Sequence, residues 1–307
     1  MKEQGSSRAD RPAAKVLVTG ATGQLGRELA RVAWPAGWDV LALGRDALDL
    51  RDVRAIADAI AEHAPSAVVN AGAYTAVDRA EGDAVLAWQV NALAPAAMGA
   101  ACARAGIPLV QVSTDYVFGG DKAGGWAVSD PVAPLNVYGA SKLGGELAVR
   151  TSGARHAIVR TAWVVSAHGA NFVKTMLRIG AERETVRVVG DQIGSPTGAA
   201  DLAQALASVA VTLAADADAP TGTFHFANMG AVSWAGFAAE IFRQSGERGG
   251  PAARVEPIAT ADYPTAARRP ANSVLAVDAI GRAYGIAPRP WQEALGDIMD
   301  ELIGPVR

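Results

Sequence analysis

Tyr138 and Lys142, in the stretch Val137-Tyr-Gly-Ala-Ser-Lys142, carry side chains suited to moving a proton. Residues four apart on a helix stack on one face, so the phenol and the ammonium can address the same ligand. A phenol titrates near ~10 in water, too high for ready exchange at neutral pH, and an adjacent cation stabilises the phenolate and lowers that value. The pair therefore suits a general acid that protonates an alkoxide. Well upstream, Val18-Thr-Gly-Ala-Thr-Gly-Gln-Leu-Gly26 spaces Gly20, Gly23 and Gly26 three apart. Such a turn lets bare backbone approach a pyrophosphate at a helix N-terminus. Its spacing differs from the G-x-G-x-x-G of many dehydrogenases. Alone, each pattern also reads as an ordinary Gly-rich turn or an amphipathic surface helix. Together, in this order, they point to a nicotinamide cofactor and a tyrosine acid.

The elements that must position these groups alternate along the chain. Lys15-Val-Leu-Val-Thr19 reads as a buried strand running into the glycine turn, and Leu25 to Val32 as a helix ending near Pro35. Trp38 to Leu43 is a second strand and Val53 to Glu62 a second helix. Ala67 to Asn70, Pro108 to Ser113 and His156 to Arg160 are further apolar runs, separated by helical periodicity over Ala84 to Ala105 and Tyr138 to Arg150. Continuous apolar strands between helices predict an α/β fold, a Rossmann-type doubly wound parallel sheet covered on both faces. After Thr161 the alternation fades, which predicts a smaller, mixed C-terminal substrate-binding lobe. The expected division is a flexible N-terminus over 1–14, a dinucleotide domain over 15–162 plus about 198–227, and the second lobe from about 163–197 and 228–303. Ala214 to Ala219 reads as a surface linker.

The residues after the second strand decide which dinucleotide fits. An acidic side chain there accepts from a ribose 2′-OH, but here stand Gly44 and Arg45, with Asp46 next. Arg45 can pair with a 2′-phosphate, which favours NADPH and leaves NADH possible; a solvated arginine without a ligand is the plain alternative. Asp49 and Leu50 are placed to border the adenine, and Asn70-Ala-Gly-Ala73 supplies small residues, Ala71, Gly72 and Ala73, where a cofactor must pass. Val112-Ser-Thr-Asp-Tyr-Val-Phe118 leaves a buried strand at its C-terminal end, the edge where open parallel sheets bind ligands. Thr114 is thus a candidate hydroxyl beside Tyr138, although strand-end Thr is often a plain cap.

Composition bounds the partners. Half of the 307 residues are hydrophobic and 19% are charged, so the chain can bury a core, and a net charge of −3 gives no case for nucleic acid or an anionic membrane. No apolar run reaches the ~18 residues expected of a span. The polar first dozen residues offer no signal, and a soluble cytoplasmic protein is expected. The one cysteine, Cys102, reads as a small core residue. His63, His156, His168 and His225 share no metal-ligand spacing and read as solvated or packed.

Several longer stretches carry a family resemblance. These are Gly20 to Gly26, Asn70-Ala-Gly-Ala-Tyr-Thr-Ala-Val-Asp-Arg-Ala-Glu81, Ser113 to Phe118, Pro134-Leu-Asn-Val-Tyr-Gly-Ala-Ser-Lys142, Arg160-Thr-Ala-Trp163, Asn171 to Met176, Gly190-Asp-Gln-Ile-Gly-Ser-Pro-Thr197 and Tyr263-Pro-Thr-Ala-Ala-Arg-Arg-Pro270. From about residue 15 to 302 the chain closely resembles the dTDP-4-dehydrorhamnose reductases, a family of extended short-chain dehydrogenase/reductases. The resemblance implies NADPH-dependent reduction of the C4 ketone of dTDP-4-dehydro-6-deoxy-L-mannose to dTDP-L-rhamnose, a cell-wall and lipopolysaccharide O-antigen precursor. It implies Tyr138 and Lys142 as the active-site pair, with Lys142 also holding the nicotinamide ribose, and Thr114 as the tuning hydroxyl. Implied cofactor contacts are Gly23, Gln24, Leu25, Asp49, Leu50, Ala73, Tyr74 and Thr75; Gly20, Gly26, Arg45, Ala71, Gly72, Val112, Tyr138 and Lys142 complete the expected cofactor site. Implied substrate contacts are Thr114, Asp115 and Trp163.

Two departures stand out. Members with a metal-linked dimer use acidic residues; Glu28 and Glu301 are present, but Ala200 stands where those members carry a carboxylate. No metal ligand is therefore assigned, Mg2+ stays open, and so do monomer and homodimer. Val165 replaces a common aromatic on one wall of the sugar pocket. Two other readings remain: a reductase or epimerase of a different nucleotide sugar, which would share Tyr138, Lys142 and the glycines, and a non-catalytic NADPH-binding subunit of a partner enzyme. Trp163 and the Asp191–Thr197 segment favour the rhamnose reductase over the first, and retention of Thr114, Tyr138 and Lys142 weighs against the second.

Overall fold

In the computed structural model, which describes residues 14–306, β1 (Ala14–Thr19) leads through Gly20 into α1 (Gln24–Arg31). The expectation of a flexible N-terminus falls, up to residue 13, outside the described residues. Next come β2 (Trp38–Leu43), α2 (Val53–His63) and β3 (Ala67–Asn70). Asp52 starts α2 by accepting from the Arg54 and Ala55 amides at 2.9 and 3.0 Å. The short α3 (Val77–Ala80) precedes α4 (Ala84–Trp88) and α5 (Ala94–Ala105), followed by β4 (Leu109–Thr114), α6 (Val137–Thr151) and β5 (His156–Thr161). The remainder is β6 (Val164–Val165), α7 (Phe172–Gly180), β7 (Thr185–Val189), β8 (Ile193–Gly194), β9 (Thr197–Gly198), α8 (Ala199–Ala215), β10 (Gly222–His225), β11 (Val232–Ser233), α9 (Trp234–Glu247), β12 (Arg254–Ile258), α10 (Asp278–Tyr284) and α11 (Trp291–Leu302).

Six strands form one sheet in the order β10-β5-β4-β3-β1-β2, with every pairing parallel. Alternate residues of β1 enter opposite layers, as the pleat requires. Val16 and Val18 pack with α1, α8 and Ile280 of α10, whereas Leu17 packs with Ile56, Ile60, Met98, Cys102 and Val149 of α2, α5 and α6. The sheet is thus doubly wound, which is why its strands read as unbroken apolar runs. The strand order reverses at β1, between β2 and β3, so the crevice at the C-terminal ends of β1 and β3 is the switch point where such sheets bind ligands.

A second core, built by α7, β7, α9 and α11, centres on Val173, Met176, Phe237, Ile241 and Leu295. The small strand pairs β6–β9, β8–β11 and β7–β12 lie among these pieces. Ala214 to Ala219 is not a plain surface linker. Its first two residues close α8, and Ala219 is buried in the first core, because the chain must return at once to pair β10 with β5.

Residues 84–105 form one continuous helix that is long and apolar enough, by length and composition, to cross a membrane, against the expectation of no such run. Half of its most apolar window is buried inside the protein, where its α5 part packs on α2 and α6. Gln89–Leu93 inside it is π-helical. Pro95 has no N–H to give to Asn91, and the widened turn absorbs that loss.

Candidate active site

Asn136 starts α6 by accepting from the Gly139 amide at 2.8 Å, and Glu81 accepts from the Val137 amide at 2.9 Å. Asn136 also donates to the Arg268 carbonyl at 2.8 Å, so the Tyr263–Pro270 segment is tied to the same helix start. A Cβ at Gly139 would lie 2.2 Å from the Tyr116 carbonyl oxygen. That close approach sets the first turn of α6 on the loop after β4. Tyr138 consequently lies edge-on to Tyr116 at 5.4 Å, with its phenol close to the Thr114 side chain. Tyr138, Thr114 and Lys142 are therefore brought together at the C-terminal end of β4.

Burial dominates the electrostatics of the site. Burial raises the Tyr138 phenol well above its usual value, the Thr114 side chain pulls it back, and the Asp115 carboxylate pushes it up again. Lys142 Nζ donates to the Val112 carbonyl at 2.7 Å, and burial lowers the ammonium to about 8. The tyrosine is thereby kept protonated, the form that donates. Asp115 accepts from Thr114 at 3.0 Å and is raised to about 6 by burial, with its Oδ2 unpaired. Burial likewise pushes Tyr116 up to about 12.

The glycine turn sits at the β1–β3 crevice. Gly20 adopts φ +71°, and a Cβ there would lie 2.6 Å from Gly72 Cα. A Cβ at Gly26 would fall 2.2 Å from the Gly20 carbonyl oxygen, whereas one at Gly23 meets only that oxygen at 3.3 Å. Gly23 caps α1 without a side chain, so the amides of the first turn, at Gln24 and Leu25, have no side-chain acceptor from the described residues. That is the donor set a pyrophosphate needs. Leu50 reaches Gly72, where an added Cβ would be 2.5 Å from its Cδ1. Ala71 and Ala73 are half-buried beside it, and Thr75 is exposed. Arg45 is exposed at the end of β2, and Asp49 is held near 2, chiefly by its hydrogen bond from Arg51.

Several side chains in the site were not read from the sequence. Asn91, in the π-helical turn, accepts from the Tyr74 amide at 2.9 Å and donates to the Tyr74 carbonyl and to Ser141, both at 3.0 Å. It ties the strand-end loop to α6, and the only signal was Pro95 inside a helical run. The Tyr74 hydroxyl is engaged by Asp83 at 2.9 Å. Trp163 takes φ +48°, a strained value for a bulky residue, and stacks on Trp234 at 3.5 Å and 12°. A Cβ at Gly194 would lie 2.5 Å from the Trp163 ring, so the Asp191–Thr197 segment lies against this indole.

The family model described as RmlD substrate binding domain matches residues 14–303. A dTDP-4-dehydrorhamnose reductase of Burkholderia thailandensis is 43% identical over 296 residues, covering 94% of this chain and 99% of the relative. The chain belongs to the dTDP-4-dehydrorhamnose reductase family. Among solved structures, the dTDP-4-dehydrorhamnose reductase of Clostridium acetobutylicum matches with TM-score 0.87 and 38% identity, over 94% of this chain and 99% of that one. The Bacillus anthracis dTDP-4-dehydrorhamnose reductase, solved with NADP, matches with TM-score 0.86 and 37% identity over the same shares.

The acidic residues that family members use for a bridging cation do not fit one here. Arg31 Nη1 lies 2.9 Å from Glu301 and 3.9 Å from Glu28, and His168 Nε2 lies 3.7 and 3.5 Å from the same carboxylates. The Arg31 guanidinium already occupies that position, and Ala200 brings no ligand.

Proposed function

We propose that this member of the dTDP-4-dehydrorhamnose reductase family reduces the C4 ketone of dTDP-4-dehydro-6-deoxy-L-mannose to dTDP-L-rhamnose with NADPH. The observation that carries the reading is a protonated, half-buried Tyr138 beside Thr114, with Lys142 one turn along the same helix. The glycine turn and the uncapped first turn of α1 fit a dinucleotide pyrophosphate. NADPH bound there would supply the hydride to C4. The ketone oxygen then takes the Tyr138 proton, and the Lys142 ammonium stabilises the phenolate left behind. Thr114 fixes the phenol, and Asp115 and Trp163 orient the sugar. Arg45 supplies the charge for a 2′-phosphate, and Arg51 neutralises Asp49 nearby.

The test is NADPH oxidation by the purified protein with the keto-sugar generated in situ by the preceding dehydratase and epimerase. Oxidation that depends on this sugar supports the reading. Tight NADPH binding with no oxidation by any dTDP-4-keto sugar would favour a non-catalytic subunit instead.

A further inference from the structure

Tyr138, Lys142, Glu146 and Arg150 recur every four residues and form one stripe along α6, of which only the first two have a role in the reaction so far. Glu146 is fully buried and accepts four donors. Ser113 of β4 gives a hydrogen bond of 2.6 Å, Arg160 of β5 gives two at 2.8 and 2.7 Å, and Arg150 gives one at 2.8 Å. Arg160 is equally buried, and its far side meets His225 of β10 at 3.5 Å. Arg150, on the rim, also bonds the Thr223 hydroxyl at 3.1 Å. A carboxylate and a guanidinium placed this deep carry a large desolvation penalty, offset here by their mutual hydrogen bonds.

We infer that Glu146 is a positioning residue for the reduction, a buried countercharge that keeps the Lys142 ammonium charged and aimed at the site. This rests on the proposed reductase chemistry. Residues one turn apart on a helix are about 5–6 Å apart at Cβ, within range of strong interaction in a buried setting. Lys142 sits in the desolvating cleft between α6 and β4, with the Val112 carbonyl as its acceptor. The charged and titratable groups around the pair are Tyr138 and Arg150 on α6, Arg160 on β5, His225 on β10 and Asp115 beyond Thr114. Of these, only Glu146 opposes the burial that lowers the ammonium. His225, pushed down to about 4 by burial and Arg160, adds no charge near neutrality. Ser113 and Arg160 point the carboxylate, and the carboxylate sets the charge of the amine.

The test uses variants that move the local charge in opposite directions. Glu146→Gln removes the negative charge and leaves Arg160 uncompensated, so the alkaline limb of kcat/KM should move down by about one pH unit. Arg150→Gln removes a positive charge at the rim and should move the limb up by roughly a few tenths, because solvent screens it. Glu146→Asp should fall between Glu146→Gln and the wild type. The pH dependence of NADPH binding, followed by cofactor fluorescence, should shift in the same directions without any turnover. A structural role would weaken all three variants in the same sense and leave the limbs in place, and unshifted limbs overturn the inference. If Glu146→Gln does not fold, Arg150→Gln and Glu146→Asp decide it. If the wild type binds NADPH but turns over no keto-sugar, the reductase reading fails, and the binding profiles still decide the role of Glu146.

Discussion

Alanine at Gly26 and at Gly23 should separate stability from cofactor binding. At Gly26 the new methyl would lie 2.2 Å from the Gly20 carbonyl oxygen and 2.7 Å from Ala21 Cα. Ordinary heavy-atom contacts lie near ~3.5 Å, so the turn must move by about 1 Å. Overpacking of this kind costs about 1–3 kcal/mol, and in a chain of this size each kcal/mol lowers Tm by roughly 1–2 °C. The displaced backbone is the one that must meet the pyrophosphate. Losing one or two charge-assisted bonds, each worth about 1.5–3 kcal/mol, weakens NADPH binding by at least about ten-fold. At Gly23 the methyl meets only the Gly20 oxygen, at 3.3 Å, and points to open space. Stability should therefore change by less than about 1 kcal/mol, while NADPH binding falls as far as in Gly26→Ala. Thermal melting paired with a fluorescence titration of NADPH reads both quantities. Wild-type NADPH affinity in Gly23→Ala would show that the cofactor does not lie over this turn.

Three further perturbations probe other parts of the site. Tyr138→Phe removes the proton donor and keeps the ring against Tyr116; kcat should fall about 10²–10⁴-fold with NADPH binding unchanged, and retained activity would assign the proton to another group. Arg45→Ala should erase most of a roughly ten-fold preference for NADPH over NADH while sparing the NADH reaction, read as the ratio of kcat/KM at matched ionic strength. His225 is held neutral at about 4 against an ordinary 6.5, so the unfolded chain binds the proton first and stability is lost as pH falls from 6.5 through 4. Asp115, raised to about 6, works the other way over much of that window, so the comparison is with His225→Gln. The wild type should lose about 3 kcal/mol more than the variant across the window, and parallel melting curves against pH would refute the buried neutral histidine.

The parts of this architecture visible in the sequence are those with a local signature. β1, the glycine turn and α1 follow from an apolar run meeting glycines at fixed spacing, and Tyr138 with Lys142 from helical stacking. What stayed hidden depends on contacts distant in sequence. Glu146 and Arg160 carry no mutual signal in the sequence until α6 and β5 bring them together in the core. Asn91 gains its role only because Pro95 forces a π-helical turn that faces Tyr74 and Ser141. Trp234 is unremarkable in the sequence, yet it supports the strained Trp163. Spacing reveals a cation one turn from the tyrosine but not the burial that raises the phenol. Arg51 was overlooked for a simpler reason: its partner, Asp49, lies two residues away across a turn.

Hydride delivery from NADPH to C4, with the proton from Tyr138, is tested by following the label. NADPH deuterated at the transferred position of the nicotinamide should place one deuterium on C4 of dTDP-L-rhamnose, with one equivalent of cofactor oxidised per sugar formed. Tyr138→Phe should place the label on the same carbon at a rate lower by about 10²–10⁴-fold. Unlabelled product, label on another carbon, or sugar conversion without net NADPH oxidation would contradict the assignment.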